Sequence, residues 1–317
     1  MALYLVTGGA GFIGSHLIEE LLKRGERVRV LDNYSTGRRS NIAEFLDRIE
    51  LLDGDIRSYH VVREVVDGVD YILHEAALPS VPRSIRDPIT SNDVNVGGTL
   101  NILEAARSAG VKKVVFASSS SIYGNNPELP KHEGMIPDPL SPYAVSKLAS
   151  EKYCKVFSDI YGLPTIALRY FNVFGPRQDP SSQYSAVIPK FITAMIKDEQ
   201  PVIFGDGEQS RDFTYVANVV NANLLAADAE SVSGIAMNSA CHQRITLNEL
   251  VAFINKILGK NISPIYKDER KGDVKHSFAD ITKIGKALHY IPSITFEEGL
   301  KITIEWYKKN NVSGMHL

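Results

Sequence analysis

The sequence predicts an α/β fold, a doubly wound parallel sheet followed by a smaller mixed α/β part. Three observations carry this expectation. A glycine-rich turn joins an apolar run to an amphipathic stretch at the N-terminus. Short β-branched runs then alternate with helical periods through the first half. After about residue 172 that rhythm breaks.

The elements follow in order. Strands are expected at Leu3–Val6, Val28–Leu31, Ile49–Leu52, Tyr71–Leu73, Val114–Phe116 and Thr165–Leu168, with helices near 12–24, 57–67, 91–109 and 141–161. Strands separated by helices form crossovers, so the sheet is parallel and covered on both faces. Beyond 172, Pro176, Pro180, Pro189 and Pro201 punctuate the chain, and helices are expected near 185–198, 216–228, 246–258 and 295–309. Residues 1–172 are thus expected to bind a dinucleotide. Residues 173–317 are expected mainly to bind substrate, with room for the chain to cross back into the first part.

The turn Gly8-Gly9-Ala10-Gly11-Phe12-Ile13-Gly14 makes the opening unit a Rossmann-type one. Gly8 permits the tight turn, Gly11 lets backbone approach a pyrophosphate, and Gly14 lets the helix pack closely. The unpaired N–H groups at Phe12 and Ile13 in the first helical turn would face the phosphates. Asp32 ends the second strand, about 20 residues on, where a carboxylate can bond the ribose hydroxyls and repel a 2′-phosphate. The cofactor expected is NAD rather than NADP. The plainer reading is that Asp32-Asn33 simply starts a turn.

Bulk properties narrow the class. The chain has 317 residues, 44% apolar and 23% charged, with a net charge of −2. This is globular composition with no basic field for nucleic acid or an anionic membrane. Cys154 and Cys241 are far apart and outside any metal-ligand pattern, so buried thiols and no metal site are expected. No apolar run reaches the ~18–20 residues of a membrane helix. A cytoplasmic location is expected.

The chemistry concentrates in two places. Tyr143 and Lys147 are four apart in Ser141-Pro142-Tyr143-Ala144-Val145-Ser146-Lys147, on one face of a helix that Pro142 can begin. An ammonium about 4 Å away, at effective ε ~20, favours a phenolate by about 4 kcal/mol, roughly three pKa units. Tyr143 could then exchange a proton with a substrate hydroxyl. The alternative is an amphipathic helix carrying a Tyr and a solvated Lys. Ser118-Ser119-Ser120-Ser121 follows the strand ending near Ala117 and offers hydroxyls to orient a reacting oxygen, or plain loop residues.

Together the glycine turn, the serines and Tyr143/Lys147 resemble the extended short-chain dehydrogenase/reductase family. His74-Glu75-Ala76-Ala77, Leu168-Arg169-Tyr170-Phe171-Asn172-Val173-Phe174-Gly175, Arg211-Asp212-Phe213 and Arg270-Lys271-Gly272-Asp273 narrow the resemblance to UDP-hexose 4-epimerases, including UDP-N-acetylglucosamine 4-epimerases. The resemblance implies Ser119, Tyr143 and Lys147 as the catalytic groups. It places Asp55 and Ile56 beside adenine, Ala76 and Ala77 beside the cofactor, and Asn95 near the active site. Ser80, Ser120, Ser121 and Asn172 would lie near the sugar or diphosphate. Arg211 and Arg270 would clamp the UDP phosphates, with Asp273 on the uridine ribose. The blander account of these arginines is ion pairing with Asp206, Asp212 or Asp273.

The resemblance also implies a reaction. Dehydratases and decarboxylases of this type carry an acid just after the catalytic hydroxyl, whereas this chain has Ser120 and Ser121. An uncharged site leaves 4-epimerisation through a 4-keto sugar. Ser277, four residues past Asp273, would border the hexose 2-substituent and leave room for an acetamido group. The expected pair is UDP-GlcNAc/UDP-GalNAc, with UDP-Glc/UDP-Gal as a second. UDP-glucuronate epimerisation or decarboxylation is the alternative, with Arg83, Arg86 or Lys190 as carboxylate partners. A non-catalytic NAD(H)-binding regulator is a further alternative, although such relatives usually lack one of Ser, Tyr or Lys. Helices 91–109 and 141–161 resemble those of a four-helix dimer interface, so a homodimer is expected.

Overall fold

Seven strands form one sheet in the computed structural model, which describes residues 1–180, 187–269 and 275–310. In chain order the sheet and its main helices are β1 (Leu3–Thr7), α1 (Phe12–Lys23), β2 (Arg27–Asp32), β3 (Ile49–Asp53), α2 (Tyr59–Val66), β4 (Tyr71–His74), α3 (Gly98–Ala109), β5 (Lys113–Ser119), α4 (Pro142–Tyr161), β6 (Thr165–Tyr170), α5 (Val216–Asp228) and β7 (Ile235–Ser239). The spatial order is β7-β6-β5-β4-β1-β2-β3, and every pair is parallel.

Side-chain alternation explains why the strands read as continuous apolar runs. On β1, Tyr4 and Val6 enter the core under α1 and α5, together with Leu17, Ile18, Val219 and Val220. Leu3 and Leu5 enter the opposite core under α2, α3 and α4, together with Val62, Val65, Ile102 and Phe157. Both faces of β1 are buried, so Leu3 to Val6 are apolar at every position, whereas β2 and β3 carry Arg29 and Glu50 at partly exposed positions.

The chain winds from β1 outward to β3, then crosses to β4 on the other side of β1. The crevice beyond the carboxyl ends of β1 and β4 is therefore the topological switch point, where open α/β sheets bind ligands. The glycine turn leaves β1 there, and Glu75-Ala76-Ala77 leaves β4.

Four elements differ from the sequence expectation. β7 is unanticipated, because Ile235–Ser239 has one β-branched residue and ends in Asn238 and Ser239; pairing with β6 recruits it. Residues 216–239 thus return to the sheet from the C-terminal half. The helix expected over 91–109 is split into Pro88–Asn92, a π-helical turn at Asp93–Gly97, and α3. The break falls at Gly97-Gly98, where a Cβ on Gly98 would lie 2.4 Å from the Ile56 side chain. Short helices at Val81–Arg86 and Thr282–Leu288 were also not expected.

Cys154 is buried and Cys241 half-buried, and both thiols are free. The expectation of two buried thiols therefore holds only in part for Cys241. Among the described residues, no helix is long and apolar enough to cross a membrane.

Candidate active site

The glycine turn is built by close backbone approach. Gly8 has φ +69°, and a Cβ there would lie 2.8 Å from the Ala76 nitrogen. A Cβ on Gly14 would lie 2.3 Å from the Gly8 carbonyl oxygen, so α1 seats directly on the turn. Gly11 is the N-cap of α1, with no side-chain cap and no acid in the first turn. The free N–H groups and the positive helix end suit a diphosphate. Asp32, 7% exposed, accepts from the Ala10 N–H at 2.9 Å and from the Tyr34 N–H at 2.8 Å, and burial raises its pKa. Its carboxylate pins the turn to the tip of β2.

These groups line a cleft of about 380 Å³ at the switch point. Gly8, Gly11, Phe12, Ile13 and Gly14 form its floor on the β1 side, with Asp32, Asn33 and Ile56 at one end. Ala76, Ala77, Tyr143 and Lys147 line it further along. The uncapped helix end, the Cβ-free cradle and the buried acid at β2 fit NAD. Asp55 lies between Gly54 and Ile56 of the cleft lining, paired with Arg57 at 2.7 Å and accepting from Asn33 Nδ2 at 2.9 Å. The Arg57 pairing holds its carboxyl down at about 2.

Asn95 lies in the π-helical turn and works as a clamp. Its Oδ1 accepts from the Leu78 N–H at 2.8 Å, and its Nδ2 donates to Ser146 Oγ at 3.0 Å. It thus ties the segment after β4 to the helix that carries Tyr143. A second chain of bonds runs beside it. The Ala76 N–H donates to Thr7 Oγ1 (3.2 Å), which meets His74 Nδ1 (2.7 Å); His74 Nε2 meets Thr99 Oγ1 (3.0 Å), which donates to the Asn95 carbonyl (2.6 Å). Because Thr99 spends its proton on that carbonyl, it must accept from Nε2–H, and Nδ1 must accept from Thr7. Burial, aided by Lys147, holds the imidazole neutral, at about 3.

α4 starts as its sequence suggests. Ser141 Oγ accepts from the Ala144 N–H at 3.2 Å and Pro142 occupies the first turn. Ser84 Oγ, on the short helix Val81–Arg86, accepts from the Tyr143 N–H at 3.0 Å and fixes the helix start. Ser80 caps that short helix with φ +99°, an unusual conformation for a residue with a Cβ. The serine run sorts by strand alternation. Ser118 turns inward to Glu151 (2.9 Å), whereas Ser119 hydrogen-bonds Tyr143 and accepts from Ser121 N and Oγ at 3.1 and 2.9 Å. Ser120 opens the short 3-10 turn Ser120–Tyr123 that Ser119 caps.

The phenol does not carry the lowered pKa that the Tyr-Lys spacing suggests. Burial pushes Tyr143 up to about 12; the Ser119 bond opposes this, and Glu75 adds to it. Lys147 Nζ lies 6.0 Å from the Tyr143 ring centroid and donates to the Ala117 carbonyl at 2.7 Å. Burial brings the ammonium down to about 8, with Glu75 opposing the shift. Nor is the site free of acids. Glu75 lines the same cleft, and sequence reasoning assigned it no role.

A second cleft, of about 510 Å³, holds Asn172 and Arg211. Asn172 has φ +36° and donates from Nδ2 to the Asp212 carbonyl at 3.3 Å. Arg211 donates to the Ser210 and Lys275 carbonyls at 2.9 and 3.1 Å. Val202, Phe204 and Phe213 give apolar walls, and Lys190 adds a cation. Apolar walls with a few fixed cations suit a nucleotide base and its phosphates. Ser277 sits across from this strand, its N–H donating to the Ser210 carbonyl at 3.0 Å. Arg270 and Asp273 lie outside the described residues.

Comparison with known proteins places these clefts in context. The model of the NAD dependent epimerase/dehydratase family matches residues 4–240. The chain is 41% identical to a UDP-N-acetylglucosamine 4-epimerase from Methanobrevibacter ruminantium, solved in complex with UDP-N-acetylmuramic acid, covering 98% of this chain and 99% of that one at a TM-score of 0.94. It is 37% identical to the Thermus thermophilus UDP-glucose 4-epimerase solved with NAD, covering 96% and 99% at a TM-score of 0.86. It is also 36% identical to the UDP-glucuronate 4-epimerase of Thermodesulfobacterium geofontis, covering 98% of this chain and 97% of that relative.

Proposed function

The chain belongs to the NAD dependent epimerase/dehydratase family and is an NAD-dependent UDP-sugar 4-epimerase, an isomerase; from that premise we propose that it interconverts UDP-GlcNAc and UDP-GalNAc, and UDP-Glc and UDP-Gal as a second pair. The observation that carries the choice of sugar is a small hydroxyl, Ser277, held beside the Arg211 strand by the backbone bond to Ser210. A serine there leaves space for an acetamido group. In support, a UDP-N-acetylglucosamine 4-epimerase shares 41% of its residues with this chain.

In this reading Arg211 holds the diphosphate and Asn172 the sugar-diphosphate junction, while Arg270 and Asp273 add the second phosphate clamp and the uridine ribose contact. Asp32 takes the adenosine ribose, and Gly11 to Gly14 take the cofactor pyrophosphate. Bound NAD supplies an acceptor and later a donor for the hydrogen and electron pair of sugar carbon 4, and a positively charged ring. Ser119 orients the 4-hydroxyl, and Tyr143 takes its proton as the carbon becomes a ketone. Lys147 holds positive charge near the phenol and shares it with Glu75 and the Ala117 carbonyl. Rotation of the keto sugar exposes its other face, and Tyr143 returns the proton. Ser120 and Ser121 offer no acid after the catalytic hydroxyl, so neither elimination nor decarboxylation is served there.

The test is to incubate the purified protein and its Ser277→Tyr variant with UDP-GlcNAc, UDP-Glc and UDP-glucuronate, without added NAD, and to separate the products. The wild type is expected to convert the acetylated pair best. The variant is expected to lose about tenfold or more on that pair relative to UDP-Glc, because a phenol ring fills the acetamido space. Equal loss on both pairs would remove Ser277 as the gate. Preferred turnover of UDP-glucuronate would move the assignment to the uronate, with Lys190 of the second cleft as a carboxylate partner.

The protein is further proposed to work as a homodimer in the cytoplasm. On α4, Tyr153, Val156, Ile160 and Tyr161 are all more than a third exposed, beside Leu100 of α3 and Tyr59. An apolar patch spanning two adjacent helices suits isologous pairing with a second copy. Sedimentation velocity is expected to give a dimer, and Ile160→Glu to shift it towards monomer. A wild-type monomer at micromolar concentration would count against the pairing.

A further inference from the structure

Glu75 is an ionisable side chain lining the cleft beside Tyr143 and Lys147 that takes no part in the proposed proton transfer. It leaves β4 directly, its N–H donating to the Thr7 carbonyl of β1 at 3.2 Å, so its backbone is part of the sheet edge. Its side chain is placed by elements distant in sequence. Tyr170, the last residue of β6, donates from its hydroxyl to Glu75 Oε1 at 2.6 Å. That hydroxyl in turn accepts from Asn223 Nδ2 of α5 at 2.7 Å, and Asn223 is anchored to the Val219 carbonyl at 2.9 Å. Tyr170 is thereby forced to act as a donor towards Glu75, which holds the carboxyl in one orientation.

From α4, Lys147 and Tyr143 face the same space. The electrostatic consequences run through all three groups: Glu75 supports the charged form of Lys147 and opposes ionisation of Tyr143. Burial lifts the Glu75 carboxyl itself to about 7, with Tyr170 and Lys147 opposing the rise. A carboxyl in so dry a place is costly to ionise unless positive charge is near. Lys147 is one source. The oxidised nicotinamide ring, which carries a positive charge that the reduced ring lacks, is another.

We infer that Glu75 sets the redox state in which the enzyme holds its cofactor: its carboxylate, fixed by Tyr170 at the Tyr143 end of the cleft, favours the cationic oxidised form over the neutral reduced one. Such a bias suits an epimerase, which must begin each turnover oxidised and regain that state when the sugar is released. The inference rests on reading Tyr143 and Lys147 as the reacting end of the cleft. Glu75 acts here as a positioning charge and takes no proton from the sugar.

The test is a redox titration of the holoenzyme. A two-electron dye couple delivers two electrons and one proton to the bound cofactor, and the near-ultraviolet absorbance of reduced nicotinamide reports the reduced fraction. Glu75→Gln keeps an acceptor for Tyr170 and removes the charge. It is expected to shift the oxidised-to-reduced preference by about tenfold or more towards the reduced form, roughly 30 mV for a two-electron couple. Glu75→Asp keeps the charge and is expected to retain most of the wild-type preference. A Gln variant within about twofold of wild type, or an Asp variant shifted as far as Gln, would overturn the inference. Loss of turnover in Tyr143→Phe alongside an unshifted Gln variant would leave the catalytic reading intact and remove only the role of Glu75. Full turnover in Tyr143→Phe would remove the catalytic reading itself.

Discussion

Replacing Tyr143 by phenylalanine is expected to lower kcat for UDP-sugar interconversion by about 10²–10⁴-fold, the range associated with a positioned proton carrier. The expectation comes from geometry. The phenol is hydrogen-bonded to Ser119, Lys147 lies one turn along the same helix, and Tyr143 and Lys147 both border the cleft that Gly8 and Gly14 shape by backbone approach. Phenylalanine keeps the ring and loses the hydroxyl, so packing on α4 should survive while the 4-hydroxyl has nowhere to send its proton. KM should change far less than kcat, because in the proposed reading the diphosphate and base would be held at the second cleft, which Arg211 and Phe213 line. Steady-state kinetics with product separation checks this, and a variant that keeps wild-type kcat would exclude Tyr143 as the proton carrier.

The raised pKa of that phenol bears on how it works. Burial alone would keep Tyr143 protonated at neutral pH, and Lys147 does not sit close enough to reverse this by itself. In the proposed mechanism the positive charge of bound oxidised cofactor would favour the phenolate, so proton abstraction by Tyr143 would depend on cofactor occupancy.

Local features were the most legible in the sequence. The glycine turn, Asp32 and the Tyr143/Lys147 pair depend on spacings of a few residues, which survive folding unchanged. The central strands were visible because both of their faces are buried, leaving unbroken apolar runs such as Leu3 to Val6, and the half-buried edge strand β3 still shows Ile49, Leu51 and Leu52. β7 was not visible, because Asn238 and Ser239 are buried by tertiary bonds rather than by apolar character. Glu75 was passed over for a similar reason. Its neighbours Tyr170, Asn223 and Lys147 come from β6, α5 and α4, and no local pattern marks a residue whose surroundings are assembled from three distant segments. Asn95, expected near the active site, also clamps the Leu78 segment to α4, a role that shows only with both partners in view.

The largest stability effect is expected at Glu151 and Arg169, a pair the sequence reading left without a role. Arg169 donates from Nε to Glu151 Oε2 at 3.0 Å and from Nη2 to Oε1 at 2.6 Å, and both side chains are about 95% buried. The fork of two parallel bonds is supplemented by Ser118 Oγ on the carboxylate and by the Tyr123 hydroxyl at 2.8 Å from Arg169 Nη1. Tyr123 continues the network to Asn238 Oδ1 at 2.6 Å, linking β5, β6, α4 and β7. All three Arg169 nitrogens and both Glu151 oxygens are paired, which offsets the loss of water, so removing one partner leaves the other charge buried and unmatched. Glu151→Ala is expected to lower unfolding free energy by about 3–5 kcal/mol, read as a reduced denaturant midpoint at similar slope. A double replacement, Glu151→Leu with Arg169→Met, is expected to recover much of that loss, because apolar side chains of similar size carry no charge to strand. If the single variant unfolds at the wild-type midpoint, the pair is solvated in a way its burial does not suggest. If the double variant is no better than the single, the Tyr123 and Ser118 bonds carry more of the stability than the ion pair does.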